Sequence, residues 1–163
     1  MMKYTSLEDC FAPKWWIKAI ASKIPLDGNV LIFGLGNDSN YYAAINRGYT
    51  CFIEDDLVWC DKFKHLNVHH YEYKTKVKEG IKPLIIDLPL YDIFWDVVLI
   101  DGPMGWFDEA PGRTQPIYSV SQMVAQHIFV DDYDRKLEKE CCNAYLGEPS
   151  DLIANKYAYY LRI

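Results

Sequence analysis

Between Trp95 and Arg113 the chain reads WDVVLIDGPMGWFDEAPGR, an apolar run that stops at Asp101, breaks at Gly102-Pro103 and continues into a polar-aromatic loop. Open α/β sheets present catalytic groups this way, with a carboxylate at the C-terminal end of a buried strand and a charged loop after it. A second acidic pair, Asp131-Asp132, closes a later apolar run, so three carboxylates from strand ends can face one crevice. Two chemistries fit them. Asp101, Asp131 and Asp132 could hold a hard divalent ion that grips a diol, or the charge of its neighbours could leave one of them poised as a base. Asp131 and Asp132 also suit a purely structural role, as caps of the helix that follows. On the loop, Glu109 and Arg113 stand four residues apart. They form either an ion pair bracing the Pro111-Gly112 turn or a substrate grip. In the grip Arg113 offers its planar fork to a carboxylate or hydroxyls, and Glu109 orients it or acts as base. Their place just after the strand that carries Asp101 favours the grip. Trp106, Phe107 and Tyr118 suit either a sugar face or simple packing. The four histidines show no metal-ligand spacing, and His127, opening a strand, reads as structural.

An earlier strand ends in Gly34-Leu35-Gly36, where the backbone can turn tightly and approach a ligand. Twenty residues after Gly34 the next strand closes on Glu54, placed to accept hydrogen bonds from ribose hydroxyls. The third glycine of a dinucleotide fingerprint is missing, because position 39 is Ser. Asp38 at the helix N-terminus disfavours the pyrophosphate that such an end would otherwise attract. A cationic or zwitterionic ligand such as S-adenosylmethionine fits better than NAD. Asp38 and Ser39 also serve as caps on this reading.

These residues need a scaffold of alternating strands and helices. Helical periodicity places Trp16, Ile17, Ile20 and Ile24 on one face of residues 13–24, with Pro13 at the start. Strands are expected at Asn29–Phe33, Thr50–Ile53, Val68–Tyr73, Asp96–Ile100 and His127–Val130, and a last one, antiparallel at the edge, at Lys156–Ile163. Helices are expected from Asp38 or Ser39 to Arg47, over Leu57–Lys64, over Gln115–Gln126 and over Asp134–Tyr145. The alternation implies a three-layer α/β/α sandwich with a mainly parallel sheet. One domain over residues 1–163 is expected, with residues 1–27 as an N-terminal helical segment and residues 28–163 as the α/β core.

Composition sets further bounds. Of 163 residues, 50% are hydrophobic and 15% aromatic, which excludes a disordered or coiled-coil chain. A formal charge of −6 argues against a nucleic-acid partner. The five cysteines are odd in number and lack CxxC spacing, so a reducing compartment is expected and zinc is not. MMKYTSLEDC lacks the apolar core of a signal peptide, and no apolar run reaches membrane-spanning length, so a soluble cytoplasmic protein without membrane contact is expected.

Five blocks in order, FGLGNDS (Phe33 to Ser39), FIEDD (Phe52 to Asp56), YKTKV (Tyr73 to Val77), the Trp95 to Arg113 stretch and IFVDDYDR (Ile128 to Arg135), resemble the plant glucuronoxylan 4-O-methyltransferase family, a polysaccharide-biosynthesis domain. The resemblance implies a Rossmann-like class I methyltransferase fold, S-adenosylmethionine as methyl donor, a hydroxyl of a sugar or glycan as acceptor and, in some relatives, a divalent cation such as Mg²⁺ or Mn²⁺. The implied cofactor set is Gly34, Leu35, Gly36, Asp38, Ser39, Glu54 and Asp55, with Asp101 beside it. The implied catalytic set is Asp101, Glu109, Arg113 and Asp132, and the implied metal set is Asp101, Asp131 and Asp132. The chain departs from the family at Asn37, where the plant enzymes have His, and at Asp131-Asp132, where they have His-Asp. A chain without their Golgi anchor and their longer loops is expected. The acceptor therefore need not be glucuronic acid on xylan. Compact relatives in microbes and large DNA viruses that build their own glycans suit a deoxysugar or another neutral sugar. Two other functions compete with this reading, an NAD(P)-linked sugar oxidoreductase, against which the missing third glycine and the lack of a YxxxK motif weigh, and a non-catalytic glycan-binding or scaffold member of the family.

Overall fold

The structure, a computed structural model, describes residues 7–162. Met1 to Ser6, part of the segment read above for a leader, and Ile163 at the end of the last expected strand lie outside the described residues. Seven strands form one sheet: β1 (Asn29–Phe33), β2 (Tyr49–Glu54), β3 (Val68–His70), β4 (Phe94–Ile100), β5 (Val124–Val130), β6 (Asp151–Ile153) and β7 (Tyr157–Leu161). Their order is β3-β2-β1-β4-β5-β7-β6, parallel except for β7, which runs antiparallel to both of its neighbours.

The sheet is covered on both faces because its central strands are apolar on both. Val30 and Ile32 of β1 point into one core with Trp16, Ile17 and Ile20 of α1 (Lys14–Ala21) and Tyr42 of α2 (Ser39–Ile45). Leu31 and Phe33 point into the other, against Ile117 and Val120 of α4 (Thr114–Ser121) and Leu137 and Cys141 of α5 (Lys136–Tyr145). Period-2 alternation with both faces buried is what a parallel sheet between helical layers requires. The short α3 (Leu57–Lys62) follows β2, with Asp56 accepting a bond from the Val58 N–H as its N-cap. Among the described residues no helix is long and apolar enough to cross a membrane.

Three expectations need correction. The helix read over Gln115–Gln126 ends at Ser121, and Val124 to Gln126 already belong to β5. Val124 and Gln126 are exposed and Ala125 is buried, the alternation of a strand and not of a helix turn. The third strand stops at His70 and does not continue to Tyr73. A further strand, β6, was not anticipated; it returns to β7 through Ala154 and Asn155, both at positive φ.

Between β3 and β4, where a covering helix is usual, residues 71–93 run irregularly apart from one short 3-10 turn. Side chains satisfy their backbone. The Gln115 side chain accepts from the Lys74 N–H at 2.9 Å and donates to the Ile85 carbonyl at 3.0 Å, while Ser119 Oγ accepts from the Ile86 N–H at 2.8 Å. A buried segment without secondary structure survives only where its polar groups find such partners.

Candidate active site

At the C-terminal ends of β1 and β4 the two chains pass as glycines. Gly34 has φ +99°, and a Cβ placed on Gly102 would stand 2.8 Å from the Gly34 Cα. Beyond the strands the ladder continues, with the Gly34 N–H on the Ile53 carbonyl at 2.8 Å, Asp101 N–H on Phe33 at 3.0 Å and Asp131 N–H on Ile100 at 3.0 Å. The strand ends are therefore held in register up to the residues that carry the acids.

Above them opens a cleft of about 610 Å³. One wall comes from the ends of β1, β2 and β3, with Gly34, Leu35, Glu54, Asp55, His70 and Glu72, and from α3 with Leu57 and Trp59. The other follows β4 and β5, with Asp101, Pro103, Met104, Trp106, Arg113 and Arg135. Strands β1 and β4 are the neighbours from which the connections diverge to opposite sides of the sheet, the switch point where open α/β sheets bind ligands.

Glu54 is 6% exposed, and both of its oxygens are engaged. Oε2 accepts from the Leu35 N–H at 2.7 Å, and Oε1 accepts from the Asp55 and Asp56 N–H groups at 2.9 and 2.8 Å. The carboxylate thus ties the end of β2 to the Gly34-Leu35-Gly36 turn. Burial pushes its pKa up, and the bonds from the Asp56 and Leu35 N–H groups work against that rise. Ser39 Oγ accepts from the Gly36 N–H at 2.9 Å and so closes the turn from inside the helix. Asp38 occupies the N-cap position but makes no side-chain capping bond there. It is buried behind the cleft wall, and burial raises its pKa.

Asp101 sits in mid-cleft with its side chain 36% exposed. Its pKa is raised well above the ordinary carboxylate range: loss of hydration dominates, Arg113 opposes it, and the charges of Asp131 and Asp38 add to it. Solvent reaches one side of the carboxyl through the cleft, but protein groups surround the rest.

Arg113 is placed differently from the sequence expectation. It is 3% exposed, and its fork is spent on the main chain: Nε donates to the Pro103 carbonyl at 3.2 Å, Nη1 to Asp131 at 2.5 Å and Nη2 to Asp101 at 2.7 Å. Nη2 also lies 2.9 Å from Asp132 Oδ2 and 3.6 Å from Asp101 Oδ1. One guanidinium thereby fastens the ends of β4 and β5 together. Glu109 does not pair with it; that side chain is 54% exposed, bound to Lys76 Nζ at 2.8 Å and to Lys78 Nζ, and is not among the residues that line the cleft.

Asp132, with φ +57°, is surrounded by Arg113, Arg135 at 2.8 Å and Lys156 at 2.5 Å. Burial would raise its pKa, but Arg113 and the other two cations outweigh burial and hold it low. Asp131 Oδ1 accepts the Asp132 N–H at 2.6 Å. The trio Asp101, Asp131 and Asp132 therefore does not suit a divalent ion, since one member is already neutralised by three cations and another is turned to the backbone. Among the described residues no group of three or more His, Cys, Asp or Glu side chains is arranged to hold a metal. Trp59, His70, Glu72, Met104 and Arg135 line the cleft without having been singled out from sequence; only sheet order brings them together.

The fold and the cleft at its switch point define a class I methyltransferase architecture. A methyltransferase-like protein from Silicibacter pomeroyi DSS-3 shares it with a TM-score of 0.60 at 17% identity, over 92% of this chain and 86% of that one. The chain belongs to the IRX15/IRX15L/GXM family, whose model matches residues 15–86 and 81–156. It is 32% identical to Arabinogalactan O-methyltransferase 1 of Arabidopsis thaliana, over 72% of this chain and 54% of that protein. It is likewise 32% identical to Glucuronoxylan 4-O-methyltransferase 2 of the same plant, over 72% and 53%, and 28% identical to Protein IRREGULAR XYLEM 15, over 78% and 53%. The chain spans about half the length of the curated relatives it matches.

Proposed function

We propose that the chain is an S-adenosylmethionine-dependent O-methyltransferase acting on a hydroxyl of a sugar or glycan. One observation carries the reading: a single cleft joins the glycine turn and Glu54 on one side of the switch point to Asp101 on the other. The residues fit the cofactor. Gly34 leaves backbone room, Glu54 lines the cleft and its Oε2, which accepts one bond, keeps a lone pair for ribose hydroxyls, and Asp55, Asp56 and Glu72 make the wall anionic. An anionic wall suits a sulfonium and repels the phosphates of a dinucleotide, which disfavours the NAD(P)-linked alternative.

S-adenosylmethionine, when bound, supplies a methyl carbon already activated by its positive sulfur, so the chain must mainly position the acceptor and remove one proton. Asp101 is the base: its raised pKa makes it a better proton acceptor than an ordinary carboxylate, and it lines the cleft at the end of β4, beside the Gly34 turn. It takes the proton of the acceptor hydroxyl as the oxygen–methyl bond forms and the carbon–sulfur bond breaks. Arg113 keeps Asp101 in place through its main-chain carbonyl. No step is assigned to a metal, because the acids do not form a site for one.

Calorimetric titration of S-adenosylhomocysteine against NADH, with and without Mg²⁺ or Mn²⁺, tests the cofactor, and transfer of labelled methyl to a panel of sugars tests the reaction. Micromolar binding of S-adenosylhomocysteine with metal-independent turnover is expected. Preference for NADH would refute the cofactor assignment. Cofactor-independent glycan binding without turnover would make the chain a binding member of its family.

A further inference from the structure

The cleft's β4–β5 side carries an indole that the fold leaves uncovered. Trp106 is 72% exposed and lines the cleft, in an edge-type contact with Phe107 at 4.7 Å between ring centroids and 64° between planes. An indole that exposed gains little from packing, yet the loop holding it is firmly braced. The Gly112 N–H bonds to the Met104 carbonyl at 2.9 Å, Ala110 N–H to Phe107 at 3.0 Å, and Val77 N–H to Ala110 at 2.9 Å. Gly112, at φ +67°, packs so tightly that an added Cβ would stand 2.9 Å from Leu137. The backbone that carries the ring is therefore fixed, as a binding platform needs.

The charges around it point one way. Two cations line the cleft, Arg113 and Arg135, and both are paired with Asp132. The other terminal nitrogen of Arg135, Nη1, is buried against Gly105. Against them the same cleft carries the carboxylates of Glu54, Asp55, Asp56, Glu72 and Asp101. Lys76 and Lys78, which do not line the cleft, are taken by Glu109. Among the described residues that line the cleft no cation lacks a carboxylate partner, so a sugar carrying a carboxylate would meet an acidic cleft, and desolvating that charge would oppose binding.

From these two observations we propose, resting on the methyltransferase reading above, that the acceptor is an uncharged pyranose whose C–H face stacks on Trp106. The polarised C–H bonds of such a face meet the electron-rich face of the indole, a contact that needs no charge. The stacked ring would then turn a hydroxyl toward Asp101, which lies on the same side of the cleft.

The test uses the whole chain saturated with S-adenosylhomocysteine, titrated with methyl glycosides of neutral hexoses, pentoses and 6-deoxyhexoses and with methyl glucuronide. Labelled methyl transfer to the same sugars is measured in parallel. At least one neutral glycoside is expected to bind and react with kcat/KM tenfold or more above the glucuronide. Trp106→Ala should raise its KM at least tenfold and leave S-adenosylhomocysteine affinity unchanged, and Trp106→Tyr should recover most of the loss. Preference for the glucuronide, failure of every neutral glycoside to bind, or an unchanged KM in Trp106→Ala would overturn the proposal and leave the methyltransferase reading intact. Failure of S-adenosylhomocysteine itself to bind the unmodified chain would overturn that reading and the proposal with it.

Discussion

Gly34 and Gly102 touch backbone to backbone: a Cβ on Gly102 would lie 2.8 Å from the Gly34 Cα, and one on Gly34 would lie 3.0 Å from the Gly102 nitrogen. This contact joins the cofactor turn after β1 to the loop after β4. A side chain at either position would push the two halves of the cleft apart, because the opposing atoms are main chain and cannot rotate away. Gly102→Ala should therefore cost about 1–3 kcal/mol of stability, as for overpacking in a core. It should also weaken S-adenosylhomocysteine binding at least tenfold. Chemical denaturation and calorimetry check both, and an unchanged unfolding midpoint would show that the strand ends can separate freely.

Asp101 gives a prediction in which activity and stability move oppositely. Its pKa is raised in the folded chain, so between the ordinary carboxylate value and the raised value the folded state holds more protons than the unfolded one. Stability contributed by this group is then present at low pH and lost as pH rises through that window. Asp101→Asn should accordingly remove turnover, by about 10²–10⁴-fold for a lost general base, while raising the unfolding temperature above neutral pH. In the unmodified chain the acid limb of kcat should lie above the ordinary carboxylate range. An acid limb near pH 4, or an active Asn variant, would take the proton-accepting role away from Asp101.

Arg113 shows how far the sequence was legible. The run from Val97 to Asp101, the Gly34-Leu35-Gly36 turn and Glu54 announce themselves, because local periodicity and a break after an apolar run are properties of neighbouring residues. The doubly covered sheet follows from them. The work of Arg113 is not local. Its fork meets the carbonyls of Pro103, Asp101 and Asp131, which are main-chain atoms and carry no residue signature. Trp59 and His70 were missed for a related reason, since they reach the cleft only because β2 and β3 lie on the far side of β1. The start of β5 was misread because Val124, Ala125 and Gln126 offer one buried residue among two exposed ones, too short a pattern to separate from a helix end.

The positions of those carbonyls make Arg113 testable as a positioning residue. Arg113→Gln strips a buried ion pair and should cost about 3–5 kcal/mol. It also removes the positive charge that opposes the rise at Asp101, so the acid limb of kcat should shift to higher pH. Arg113→Lys keeps the charge but cannot serve three carbonyls from a fork; it should restore the pH profile while remaining less stable. A merely structural Arg113 would leave the limb where it was in both variants.

Glu109 lies in the same loop and should behave oppositely. Lys76, then Lys78, hold its pKa down to about 2, so it stays ionised and paired across the working pH range. The pairs are exposed to solvent, where ion pairs add little to stability. Glu109→Gln should leave the unfolding temperature within error and turnover within about twofold, values expected of surface substitutions distant from the chemistry. A loss of turnover beyond tenfold with stability intact would return Glu109 to the acceptor-binding role that its place in the sequence suggested.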